Sequence, residues 1–283
     1  MVTAMADEKS EFARLMGNLA RLKLAKMAED LPAYMADPAS TEKTAVRVMR
    51  ELTDAEIAAR DARAAESNFA LSHFPCRKEL SSFDFAYQPS VDRARVMELA
   101  TLRFVEDGSN VLLIGSSGVG KTHIAIGLGM EATRSHIPTY FIHFRDLVLR
   151  LRRALAEGRE ESTVKNLNRY RLLIIDEIGY FPVDKTVAGL FFQLIAGRYE
   201  RRSTIVTTNQ PLSKWGEVFA DPVIANAIID RLVHHSSIIR ITGRSYRIKG
   251  KMEEAGEREA ANPLGDWNGK RRGRPKKAEQ LDA

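Results

Sequence analysis

The sequence predicts an α/β fold: a five-stranded parallel sheet lying between helices, with a helical region ahead of it. Three observations carry that expectation. Short runs rich in branched aliphatic residues alternate with amphipathic segments from Val111 onward, an order that implies right-handed crossovers and a sheet covered on both faces. The first run opens directly into a glycine-rich loop followed by a helical pattern, and the third ends in two carboxylates.

The elements follow in order. From Glu8 to Asn68 the chain is rich in Ala, Leu, Met, Glu, Lys and Arg, with Leu15, Leu19, Leu22 and Met27 at helical spacing. Pro32 and Asp37-Pro38 punctuate this stretch, so residues 1–68 are expected to form two helices or more. Phe69 to Pro89 follows neither period and reads as a loop laid over the core. A helix from Val91 to about Glu106 leads into the strands, which are expected at Val111–Ile114, Thr139–Ile142, Leu172–Ile175, Thr204–Thr207 and Ile238–Ile241. Arg145–Glu157, Thr186–Glu200 and Pro222–Val233 are the intervening helix candidates. The apolar pattern fades beyond Ile248, which gives a nucleotide-binding domain over 69–250 and a flexible basic tail over 251–283.

Composition narrows the class. With 28% charged and 44% hydrophobic residues in 283, the chain has the make-up of a globular protein with one large core. No apolar run approaches the ~20 residues needed to span a bilayer, and Met1 to Ser10 lacks the apolar stretch of a signal peptide, so a cytoplasmic protein with no membrane partner is expected. The single cysteine, Cys76, fits a reducing compartment. A net charge of +6 favours a polyanionic partner.

The glycine-rich loop is Gly115-Ser116-Ser117-Gly118-Val119-Gly120-Lys121-Thr122, a G-x-x-x-x-G-K-[ST] motif placed between a strand and a helix. Its glycines let successive N–H groups turn toward phosphate oxygens, and the start of the next helix adds positive charge. Lys121 is expected to reach the β- and γ-phosphates of ATP, and Thr122 to offer its hydroxyl to Mg²⁺. At the end of the third strand, Asp176 is the second expected Mg²⁺ contact and Glu177 the group that polarises the attacking water. Asn209 ends the fourth strand, either beside the γ-phosphate or as a turn residue before Pro211. Arg231 closes an apolar helical run, where it projects toward a neighbouring subunit or stays solvated.

The ordered set of this loop, Asp176-Glu177, Asn209, Asp230-Arg231 and Ser245-Tyr246-Arg247 resembles the IstB-type transposition helper ATPases and DnaC-type helicase loaders, a subfamily of AAA+ P-loop NTPases. Phe83-Asp84-Phe85 and Thr207-Thr208-Asn209-Gln210-Pro211-Leu212 look IstB-like. The resemblance implies an AAA+ core without a large carboxy-terminal lid. It also implies a sensor role for Asn209, an arginine finger at Arg231 acting on a neighbour's ATP, and a contact from Arg247 within the same subunit. It further implies Mg²⁺-dependent ATP hydrolysis and a homo-oligomer on double-stranded DNA that assists an IstA-type transposase. The other branch would serve a replicative helicase, and a third class would be an ATP-gated DNA-binding regulator.

The tail carries Lys270, Arg271, Arg272, Arg274, Lys276 and Lys277 around Gly273-Arg274-Pro275, which resembles an AT-hook. It reads equally as a groove-selective element or as a basic tail that meets any polyanion, and both imply DNA binding that weakens with salt. His234 and His235 are read as surface groups, since no third metal ligand shares their spacing in sequence. His123 is expected to pack on the phosphate-loop helix. Phe83, Phe85 and Tyr87 are read as core packing before an adenine cover.

Overall fold

The computed structural model describes residues 2–246, with the backbone alone for residues 2–9 and 41. Arg247 and the basic tail residues lie outside the described residues. The amino-terminal region is helical: α1 (Val2–Arg21), α2 (Ala25–Ala36), α3 (Pro38–Thr41) and α4 (Ala45–Leu71). Leu19, Met27, Leu31 and Leu52 form its own small core. Pro32 does not divide helices as its residue type suggested, but lies inside α2. The missing N–H costs one helical hydrogen bond, which the burial of Met27 and Leu31 offsets. The break comes at Asp37, whose carboxylate accepts from Ala39 N and starts α3.

Glu56 of α4 ties this bundle together. It is 3% exposed, and its carboxylate accepts from the backbone N–H groups of Lys26 and Met27 at 2.7 and 3.0 Å. It thereby caps the first turn of α2, whose own preceding residue, Leu24, supplies no side-chain cap.

Residues 72–92 run over the core, with a short 3₁₀ turn at Leu80–Ser82 and with Leu80 and Phe83 buried. The helix expected from Val91 to Glu106 is two helices, α5 (Arg93–Ala100) and α6 (Arg103–Glu106). Leu102 divides them with φ 64° and is itself buried. The kink lets Leu99, Leu102, Phe104 and Val105 all reach one core, and no Gly or Pro announces it.

The remaining elements alternate: β1 (Asn110–Gly115), α7 (Lys121–Arg134), β2 (Thr139–His143), α8 (Phe144–Ala156), α9 (Glu160–Leu167), β3 (Leu172–Ile178), α10 (Lys185–Arg198), β4 (Ser203–Thr208), α11 (Trp215–Val218), α12 (Pro222–Val233) and β5 (Ser236–Ile241). All pairings are parallel and the order is β2-β3-β4-β1-β5. Alternate residues serve opposite faces, as strand geometry requires. Val111, Leu113, Ile174 and Ile205 pack with α7, whereas Leu112, Leu173, Ile175 and Val206 pack with the layer of α8, α10 and α12. The short α9 and α11 have no counterpart in the sequence pattern, because α9 buries only Leu167 and α11 is a single turn. Since all strands run the same way, the carboxyl ends of β1, β3 and β4 lie side by side and form the edge where such sheets bind ligands.

Candidate nucleotide site

The loop after β1 owes its shape to two left-handed glycines, Gly118 (φ 81°) and Gly120 (φ 101°). A Cβ on Gly120 would stand 2.6 Å from the Phe83 ring, so the close packing of 83 on the loop also demands glycine there. With no side-chain cap on α7, its first N–H groups face the loop, an arrangement suited to anionic oxygens. The Lys121 ammonium is held across the loop by the Gly115 and Ser116 carbonyls at 2.8 and 2.7 Å.

Asp176 is 1% exposed and well supported. Thr122 Oγ1 donates to it at 2.9 Å, Thr207 Oγ1 donates at 2.6 Å, and His143 Nδ1 lies 3.4 Å from its other oxygen. In a regular strand Asp176 and Glu177 would face opposite sides of the sheet. Here the register of β3 against β4 slips between Ile175 and Ile178, and Glu177 takes φ 65°. Such a bulge re-aims a side chain, and a left-handed residue without glycine is strained unless its surroundings hold it. Thr207 does so by accepting the Glu177 N–H at 2.8 Å with the same hydroxyl that serves Asp176.

A cleft of about 360 Å³ results. Lys121, Thr122, Glu177 and Asn209 line one part of it, and Asp84 and Tyr246 also border it. Among the described residues Asn209 Oδ1 is buried there with no hydrogen-bond partner, an arrangement that calls for a donor. Tyr246 N donates to the Gly118 carbonyl at 2.8 Å and its hydroxyl donates to the Asp84 carbonyl at 2.5 Å, so residues 84 and 246 are strapped to the phosphate loop. His123 bonds the Glu79 carbonyl at 2.8 Å and meets Phe83 edge-on. Burial pulls its pKa below the ordinary 6.5. The glycine cradle, the hard oxygen donors of Thr122 and Asp176, and the orphan Asn209 oxygen together fit a nucleotide phosphate chain with Mg²⁺.

The fold thus gathers residues 115–122, Asp176, Glu177 and Asn209. Arg231 is elsewhere: in the last turn of α12 it donates to the Ala227 carbonyl at 3.0 Å and lies 4.5 Å over the Phe192 ring, outside its own chain's cleft. Phe83 packs in the core, while Tyr87 lies against Tyr246 with the rings tilted at 44°. The sequence pattern does not single out His143, and it gives Thr207, Asp84 and Tyr246 no site role although they stand in the motifs quoted above. Thr207 had a signal, since it lies two places before Asn209 and so on the same strand face; the others are defined only by contacts across the fold.

A family model for IstB-like ATP binding proteins matches residues 17–254. The chain belongs to that family. It is 45% identical over 241 residues to the ATP-binding protein of insertion sequence IS232 from Bacillus thuringiensis subsp. berliner, covering 85% of this chain and 96% of the relative. To the ATP-binding protein of insertion sequence IS21 from Pseudomonas aeruginosa it is 39% identical over 248 residues, covering 88% and 94%. Among solved structures, AMPPCP-bound DnaA from Aquifex aeolicus has a TM-score of 0.51 at 17% identity, covering 65% of this chain and 56% of that one. DnaI has a TM-score of 0.50 at 22% identity, covering 59% and 92%. These likenesses show a shared α/β fold. Among the described residues no helix of this IstB-like chain is long and apolar enough to cross a membrane.

Proposed function

We propose that this chain is the ATP-hydrolysing helper of an insertion-sequence transposition system, acting as a homo-oligomer on double-stranded DNA to assist the element's transposase. The convergence of Lys121, Thr122, Asp176, Glu177 and Asn209 on one cleft carries the reading of hydrolysis. Membership of a family whose relatives are ATP-binding proteins of insertion sequences supports the biological role.

In this reading the loop N–H groups and Lys121 hold the β- and γ-phosphates. Thr122 and Asp176 hold Mg²⁺, which when bound neutralises charge on those phosphates. Glu177 orients the attacking water and draws on its proton, and Asn209 Oδ1 accepts a hydrogen bond from the same water. His143 and Thr207 fix the Asp176 carboxylate. Arg231 acts on the ATP of a neighbouring subunit, Arg247 contacts the nucleotide of its own, and the cations from Lys270 to Lys277 meet DNA phosphates.

The test measures nucleotide binding and turnover on the same protein, with and without DNA. Lys121→Ala should abolish ATP binding, whereas Glu177→Gln should bind ATP and not hydrolyse it. Wild-type turnover in Glu177→Gln would remove its assigned role. Strand transfer by the element's own transposase, dependent on this chain and on ATP, should be lost in both variants; stimulation of helicase loading instead would place the chain with the loaders.

A further inference from the structure

Among the described residues, one group of three metal-capable side chains comes together, and it lies away from the nucleotide cleft: Glu200, His234 and His235. Glu200 follows the end of α10, and the histidines join α12 to β5. They therefore occupy the amino-terminal edge of the parallel sheet, opposite the edge that carries the phosphate loop. Glu200 Oε1 is 3.3 Å from His235 Nε2 and 3.8 Å from His234 Nδ1. Two donors bound tetrahedrally to one ion at ~2.0–2.2 Å stand roughly 3.3–3.6 Å apart, so these separations suit a shared metal with little movement. A fourth donor is at hand, since the Tyr199 hydroxyl lies 2.7 Å from His234 Nδ1.

The backbone holds these positions in place. His235 O accepts from Asn110 N at 2.7 Å, which ties the second histidine to the start of β1. His234 N bonds the Asp230 carbonyl at 3.0 Å and so continues the hydrogen bonding of α12. Glu200 takes φ 55°, and its carbonyl carbon sits 3.1 Å from where a Cβ on Gly108 would be, so the turn is packed against that glycine. The three side chains are each about half exposed, at 52–54%, which leaves them open to an ion from solvent.

We infer that Glu200, His234 and His235 form a binding site for a late first-row divalent ion of the Zn²⁺ type, structural in role. Two imidazoles and a carboxylate favour such ions over Mg²⁺ and Ca²⁺, which take oxygen donors. The ion would join the end of α10 to the end of α12. Those two helices also meet where the Arg231 guanidinium lies on Phe192, so the ion braces the helix pair that presents Arg231.

The probe is Co²⁺ alone, titrated without nucleotide into the full chain and read by its visible absorption, with bound Zn²⁺ counted by mass spectrometry after dialysis. One equivalent should bind, with an absorption spectrum of low-symmetry N/O coordination, and should raise the melting temperature. Glu200→Gln and the His234→Ala/His235→Ala pair should each weaken binding by at least about 10–100-fold, while His136→Gln, an exposed histidine elsewhere, should not change it. Nucleotide binding by each variant confirms that it is folded. Absence of stoichiometric binding, or binding that survives both Glu200→Gln and the double histidine variant, would overturn the site and leave an ordinary surface contact between the glutamate and the two imidazoles.

Discussion

Thr207 shows how one hydroxyl can hold two acidic residues in working positions. It donates to Asp176 and accepts from the Glu177 N–H, and it is fully buried. Valine has nearly the same shape and neither capacity, so Thr207→Val leaves a buried carboxylate short of a donor and a strained N–H without an acceptor. A loss of about 1–3 kcal/mol is expected in denaturant unfolding. Turnover should fall further than ATP affinity, because Glu177 loses its support while the phosphate loop is untouched. Unchanged stability in Thr207→Val would mean that the bulge at Glu177 is held by other contacts.

At the scale of elements, helix ends are where sequence and structure differ most, and they yield two predictions. The end of α7 has a Schellman closure, with Ile137 N bonded to Ala132 O and His136 N to Thr133 O, and α1 ends the same way through Leu24 N to Leu19 O. Both closures need a left-handed residue, and here they use His136 (φ 56°) and Lys23 (φ 57°), whereas α6 uses Gly108 for the same purpose. Since His136 and Lys23 are exposed, His136→Gly and Lys23→Gly should each stabilise the chain by roughly 0.5–1 kcal/mol, read as a higher denaturation midpoint. No gain would show that glycine's greater freedom in the unfolded chain cancels the relief.

The second prediction at this scale concerns α2, which relies on Glu56. Hydrogen bonds from the Met27 backbone, then the Arg60 side chain and the Lys26 backbone, hold the Glu56 carboxyl below its ordinary 4.5, against the opposing effect of burial. Its neighbour Glu51 is held down to about 2 by Lys43 and Arg47. A carboxyl with a depressed folded pKa gives stability that is complete above its unfolded value and is lost as pH falls through the folded one. The amino-terminal bundle should therefore weaken from about pH 4.5 toward 2. Glu56→Gln should be less stable than wild type at pH 7, and the gap should close as pH falls below about 4.5 in circular-dichroism melts. A gap independent of pH would rule out the ionised cap.

For the whole molecule, the trans role proposed for Arg231 would make hydrolysis depend on assembly. It lies outside its own cleft, and arginine fingers contribute ~10³–10⁵ in rate where they reach a transferring phosphoryl group. Arg231→Ala should bind ATP and turn it over far more slowly. Mixed with Lys121→Ala, itself inactive, it should recover part of the activity, because an intact pocket then meets an intact arginine across an interface. Crosslinked mixed oligomers without any recovery would count against the trans role.

The strand runs, the phosphate loop and the carboxylate pair were all legible in the chain by itself, because each is written in adjacent residues: a local hydrophobic period, a local glycine pattern and one strand end. Helix α12 was predicted at its observed bounds for the same reason, since Asp221 caps it and Pro222 begins it. Tertiary structure alone decided the left-handed turn at Glu177, the division at Leu102, the capping of α2 by Glu56 and the meeting of Glu200 with His234 and His235. It also decided the burial of Arg198, whose guanidinium bonds the carbonyls of Leu167, Tyr170, Arg171 and Ser203 and the Thr204 hydroxyl. Each of these joins segments distant in the chain or sets a backbone conformation against its residue type. Their stability comes from packing and hydrogen bonds that exist only once the sheet has formed, so no local pattern of residues encodes them.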